Sequence, residues 1–74
     1  MKTTINLIEE FKSKACCYYT QKEAMSIWIK LEPLLNEEER FNIHLGWAHY
    51  QIGEGTAELF DECNKTIQRR NSGE

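Results

Sequence analysis

Two histidines, three cysteines and a run of glutamates are the side chains in this 74-residue sequence best equipped for chemistry, so their spacing comes first. His44, His49, Cys16, Cys17 and Cys63 are of zinc-ligand type, but a zinc site ordinarily draws two ligands from one tight turn or one helix face. The two histidines stand five residues apart, about 140° around a helix, and point in different directions. No metal site is predicted. Cys16 and Cys17 are adjacent, Cys63 is distant and the count is odd, which makes a poor disulfide framework and fits reduced, packed thiols. Acid–base catalysis needs carboxylates held in a cleft, whereas Glu37, Glu38 and Glu39 read as the charged start of a helix. Glycine-rich phosphate loops, nucleophile elbows and HExxH patterns are absent from the sequence. The residues therefore point away from an enzyme, with no catalytic residue and no cofactor, and toward recognition.

The elements that must position these groups come from one small domain, residues 1–70, followed by a tail at 71–74 that should fray. A core of this size contributes roughly 3–5 kcal/mol of net stability. With 41% hydrophobic and 28% charged residues the chain is neither disordered nor membrane-like. It has no apolar run of about 18 residues, and its opening MKTTINLIEEF is interrupted by Glu9 and Glu10, which argues against a secretory signal. A cytoplasmic chain without membrane contact is predicted. Twelve acidic against nine basic residues give a net charge of −3, so nothing in the overall charge attracts a phosphate backbone, and a nucleic-acid partner is not expected. The basic cluster Lys65, Arg69 and Arg70 reads as charge complementing a helix end.

Hydropathy spacing gives four helices and no competing strand signal. Thr3 or Thr4 can cap a first helix with Ile8, Phe11, Ala15 and Tyr18 on one face. TQKE, Thr20 to Glu23, has the form of a capping box and opens a second helix carrying Ala24, Ile27, Trp28 and Leu31. Pro33 should end or kink it, leaving Leu34 and Leu35 to plug the turn. NEEE, Asn36 to Glu39, repeats the capping logic for a third helix, Gly53 supplies a left-handed stop, and Leu59, Phe60, Cys63 and Ile67 face inward on a fourth. Short connections require antiparallel neighbours, so the predicted fold is all-α, four antiparallel helices as two consecutive helical hairpins.

LGWAHYQIG, Leu45 to Gly53, resembles the first helix of a tetratricopeptide repeat: Leu45, Gly46, Ala48, Tyr50 and Gly53 fall at matching spacing. Ala57 and Phe60 resemble the small and aromatic positions of the repeat's second helix, and the likeness covers residues 39–67. Ala24, Trp28 and Leu31 resemble a second-helix pattern in the first hairpin. The resemblance implies stacked hairpins with a concave binding face. The same helix, with Ala24, Trp28 and Leu31 followed by Glu39 and Arg40, is also similar to small bacterial regulators of the AraC-negative-regulator and PerC types.

The third helix carries apolar side chains on two faces. Phe41, Leu45, Ala48 and Ile52 form one stripe, and Ile43, Trp47 and Tyr50 form another about 200° away. The first stripe is expected to join Trp28, Ala24, Ile27, Leu31, Phe60 and Cys63 in the core. The second either packs internally in a stack of helices or, with Arg40 and Gln51 beside it, forms a contact surface; the repeat resemblance places its ligand-facing positions on Arg40, Ile43, Trp47, Tyr50 and Gln51. Aromatic and arginine side chains are the usual anchors of interfaces. The sequence thus predicts a small non-catalytic adaptor or regulator that binds another protein or itself as a homodimer, with a homo-oligomeric structural module and a small DNA-binding regulator as the alternatives.

Overall fold

The computed structural model describes residues 3–73 and shows, among them, helices and turns but no strand. The four helices are α1 (Thr4–Ala15), α2 (Gln21–Leu31), α3 (Glu37–Gln51) and α4 (Ala57–Gly73), so the fold is all-α. They pair as two hairpins, α1 with α2 and α3 with α4, joined where α1 packs on α4. Lys12, near the end of α1, donates to Asn64 Oδ1 at 2.9 Å and lies over the Phe60 ring, both in the first half of α4, while Arg70 near the end of α4 reaches Leu34 in the turn after α2. The two helices therefore run antiparallel.

Thr3 caps α1 by accepting from the Asn6 N–H at 3.1 Å, and Ile8, Phe11 and Ala15 are fully buried. The helix stops at Ala15, so Tyr18 falls in a 3₁₀ turn (Tyr18–Thr20) and points outward, 78% exposed, instead of continuing the buried stripe. The capping box predicted at Thr20 does not form. Its hydroxyl donates backward to the carbonyls of Lys14 (2.5 Å) and Cys17 (3.3 Å), because the orphan carbonyls ending α1 compete for the same group. At Asn36 the box is complete: Asn36 Oδ1 accepts from the Glu39 N–H at 2.8 Å and Glu39 Oε1 accepts from the Asn36 N–H at 3.0 Å. Pro33 sits in a 3₁₀ turn (Glu32–Leu34), with Leu35 buried and Leu34 half exposed beside it. Gly53 and Gly55 turn the chain between α3 and α4 at φ +93° and +86°. Helix α4 continues through Gly73, past the point where the sequence predicts fraying, and Glu74 lies outside the described residues.

The orientation of α3 departs from the sequence reading. Gly46 faces α4 so closely that a Cβ there would lie 3.0 Å from both the backbone N and Cα of Leu59. With that side committed, Ile43 (0% exposed) and Trp47 (2%) turn into the core, and the stripe expected there turns out: Phe41 is 66% exposed, Ile52 73%, and Leu45 is partly exposed with Ala48. Phe60 is likewise only half buried, against Lys12. Trp28, Ala24, Leu31, Leu59 and Cys63 are core residues, with Ile27, Tyr50 and Ile67 packed against them. At its centre the Phe11 ring lies 5.1 Å from Trp28 and 5.0 Å, edge-on, from Trp47.

One ion pair is built into this core. Glu39, 3% exposed, accepts from Arg70 Nη2 at 2.7 Å, and the same guanidinium donates to the Leu34 carbonyl at 3.2 Å. Burial alone would raise the Glu39 pKa, but the hydrogen bonds from Arg70 and the Asn36 N–H, with the charges of Arg70 and Arg69, outweigh it and hold the carboxyl below the ordinary glutamate range.

Two outcomes are expected. Gly46→Ala should lower stability by about 1–3 kcal/mol, because the clash is with backbone and overrides the gain of about 1 kcal/mol in helix propensity; urea unfolding of the two proteins decides it. Glu39 releases its proton more readily folded than unfolded, so its stabilisation is present above the ordinary glutamate value and disappears as pH falls through the lowered one. Glu39→Gln should therefore be less stable at neutral pH and lose less stability on acidification, read from urea midpoints at pH 7 and in acid.

Candidate binding groove between α2 and α3

The residues with chemical potential resolve first. Cys63 is buried, and desolvation pushes its thiol up to about 12; burial raises Cys16 as well. Thiols so perturbed are un-ionised at neutral pH and serve as packing groups. All three cysteines are free. Among the described residues no three His, Cys, Asp or Glu side chains converge as a metal site. His49 hydrogen-bonds Glu58 and stands 3.9 Å from Glu54, and these acids raise its pKa at the α3–α4 loop. His44 instead lies at the surface against Trp28 and Trp47, its ring tilted to the first at 6.0 Å and edge-on to the second at 6.3 Å between centroids.

The predicted contact residues separate. Ile43 and Trp47 are interior and cannot touch a partner without unfolding, and Tyr50 is half buried against the core. Trp47 is held there by its indole N–H, which donates to Gln21 Oε1 at 2.8 Å, while the Gln21 amide donates to the carbonyls of Ala15 (2.7 Å) and Cys17 (2.8 Å). A buried tryptophan needs such a partner, and Gln21 supplies it while closing the end of α1. Gln51 lies exposed on the same glutamine at 3.5 Å. Arg40 alone of the five borders an open concavity.

That concavity is a groove of ≈ 320 Å³ between α2 and α3, lined by Trp28, Glu32, Arg40, Phe41, His44, Leu45 and Ala48. Its floor is the aromatic edge of the core, its α3 wall is the stripe Phe41, Leu45 and Ala48, and Glu32 and Arg40 place one charge of each sign among its lining residues. On α2 the exposed Met25 and Ile29 fall on the helix flank that continues from Trp28, and Ile52 extends the α3 wall. The periodicity of Phe41, Leu45, Ala48 and Ile52 announced an apolar face; only the direction of that face was hidden.

The basic residues near the end of the chain are largely engaged within it. Lys65 pairs with Asp61 at 3.1 Å and Glu62 at 3.8 Å, and Arg70 is tied to Glu39. Among the described residues no helix is long and apolar enough to cross a membrane. Comparison of the chain with protein-family models, curated proteins and solved structures returns no match.

Trp47→Ala should cost about 3–5 kcal/mol, most of the stability available to a domain of this size, whereas Phe41→Ala on the opposite face should change it by about 0.5 kcal/mol or less. Thermal melts followed by circular dichroism should show the first variant without a cooperative transition at the wild-type temperature and the second close to wild type.

Proposed function

We propose that the protein is a small non-catalytic recognition module, an adaptor or regulator, that seats a helical segment of protein in the groove between α2 and α3. The observation that carries this reading is the outward row Phe41, Leu45, Ala48 and Ile52, which borders a preformed concavity whose floor is the aromatic core. Exposed apolar rows bordering a groove, with charge among the lining residues, have the form by which amphipathic helices are captured. The tetratricopeptide-like pattern over residues 39–67 supports the same class of function, although the ligand-facing positions it implied at Ile43 and Trp47 lie in the interior. The contact set is accordingly Phe41, Leu45 and Ala48 with Arg40, Glu32 and His44. The engagement of Lys65 and Arg70 by neighbouring acids speaks against a DNA-binding reading.

Leu45→Glu places a charge in the groove on a helix-compatible residue. In nuclease-treated lysate of the source cell, the wild-type chain should retain a protein, itself included, that Leu45→Glu loses while Gln68→Ala, exposed on α4, keeps it. Equal retention by all three chains, with circular dichroism unchanged, would remove the groove from the function.

A further inference from the structure

Helix α3 is tied to α4 near both of its ends by ionisable side chains, and the two ties differ in kind. At its start the buried Glu39 carboxylate accepts from Arg70, and Arg69, also on α4, adds its charge. At its end His49, in the last turn, hydrogen-bonds Glu58 in the first turn of α4 and stands 3.9 Å from Glu54 in the connecting loop. The imidazole thus meets one carboxylate from the facing helix and one from the loop. Backbone bonds shape that loop: the Glu54 N–H donates to the His49 carbonyl at 2.9 Å and the Gly53 N–H to the Tyr50 carbonyl at 3.0 Å. Side-chain packing around it is sparse, since residues 51–55 are exposed and nothing lies within 4 Å of where a Cβ would stand on Gly53 or Gly55. A charge on His49 therefore acts at the thinly packed end of the hairpin, about one turn outward from the close approach of Gly46 to Leu59.

We propose that these two ties form a pH-sensitive clasp: with Glu39 ionised and His49 protonated α3 is fastened to α4 at both ends, and loss of the His49 proton loosens the loop end while the Glu39 end holds. The charges acting on His49 are those of Glu58 from α4 and Glu54 from the loop, and the charges acting on Glu39 are those of Arg70 and Arg69 from α4. The hydrogen bond to Glu58, joined by the charges of Glu58 and Glu54, outweighs desolvation and raises the His49 pKa. His49 thus holds its proton more tightly folded than unfolded. Its contribution is complete below the ordinary histidine value and disappears as pH rises through the raised one. Glu39 has the opposite sign, complete above the ordinary glutamate value and lost in acid. Both ties are therefore complete together only between those two ordinary values, and the alkaline edge of that interval lies where histidine acts as a switch. Beyond it the neutral imidazole can still donate one hydrogen bond to Glu58, but its charge attraction to both acids is gone.

Nuclear magnetic resonance on the full chain, from mildly acid to mildly alkaline pH, tests the clasp. The His49 ring should titrate above the ordinary histidine value in wild type, Glu58→Gln should bring its midpoint down, and Glu54→Gln should lower it by less. As His49 loses its proton, the protection of the Gly53 and Glu54 amides against hydrogen exchange should fall about two- to fivefold, the size of an exposed ion pair. The Arg40 amide, bonded to the Asn36 carbonyl at the far end of α3, should keep its protection over the same range. His49→Gln, which retains a hydrogen-bonding side chain without a titrating charge, should show no such fall, and circular dichroism should confirm that its helices are intact. A His49 midpoint that Glu58→Gln leaves in place overturns the inference, as does loop protection that ignores the His49 titration or that falls equally in His49→Gln. Equal loosening at Arg40 overturns it as well, because the change would then be global and not a release of one end.

Discussion

The close approach of α4 to α3 at Gly46 is the constraint from which the rest of the molecule follows. With no side chain at that position, the backbone of Leu59 fills the space a Cβ would occupy. Helices pack at separations set by the side chains between them, so a glycine at the crossing draws the two axes together and fixes the rotation of each. For α3 that rotation turns Ile43 and Trp47 inward and leaves Phe41, Leu45 and Ile52 on the far side. The groove beside α2 is the external expression of a contact made on the opposite side of the helix.

Two polar arrangements hold the orientation at its ends. At one pole Glu39 belongs both to the Asn36 capping box and to the ion pair with Arg70, so the start of α3, the turn before it and the last part of α4 meet on one carboxylate. At the other pole Gln21 satisfies the Trp47 indole and the last carbonyls of α1. Buried polar groups held by specific partners favour one arrangement over near alternatives, because a rotation of α3 would take Glu39 from Arg70 and the Trp47 indole from Gln21. In a core this small they specify the fold more than they strengthen it.

How much of this was legible in the sequence depended on whether local rules or tertiary rules decided the outcome. The four helices, the Asn36 cap, the Pro33 turn and the positive φ of Gly53 are local, and they read correctly. The Thr20 cap misled because its hydroxyl had two sets of orphan groups within reach, and the carbonyls of α1 took it. The face of α3 misled for a tertiary reason. Its inward side includes Glu39 and Gly46, neither of which scores as apolar, so its outward aliphatic stripe looked more like a core than the core did. Only the identity of Leu59 as the neighbour of Gly46 and of Arg70 as the partner of Glu39 reverses that judgement, and both lie on another helix. The groove was consequently visible as residues and invisible as a place.

The antiparallel packing of α1 on α4 has a mechanical meaning. Lys12 meets Phe60 and Asn64, so residue 3 and residue 73 lie at the same pole, beside the turn that joins the two hairpins. A load applied between those residues would pull perpendicular to the α1–α4 seam and part it turn by turn, as a zipper opens, where a load along the axes would have to shear every contact at once. Opening that seam would also lift Phe11 off the Trp47 ring and pull Gln21 from the Trp47 indole, so the two hairpins would give way together as one core.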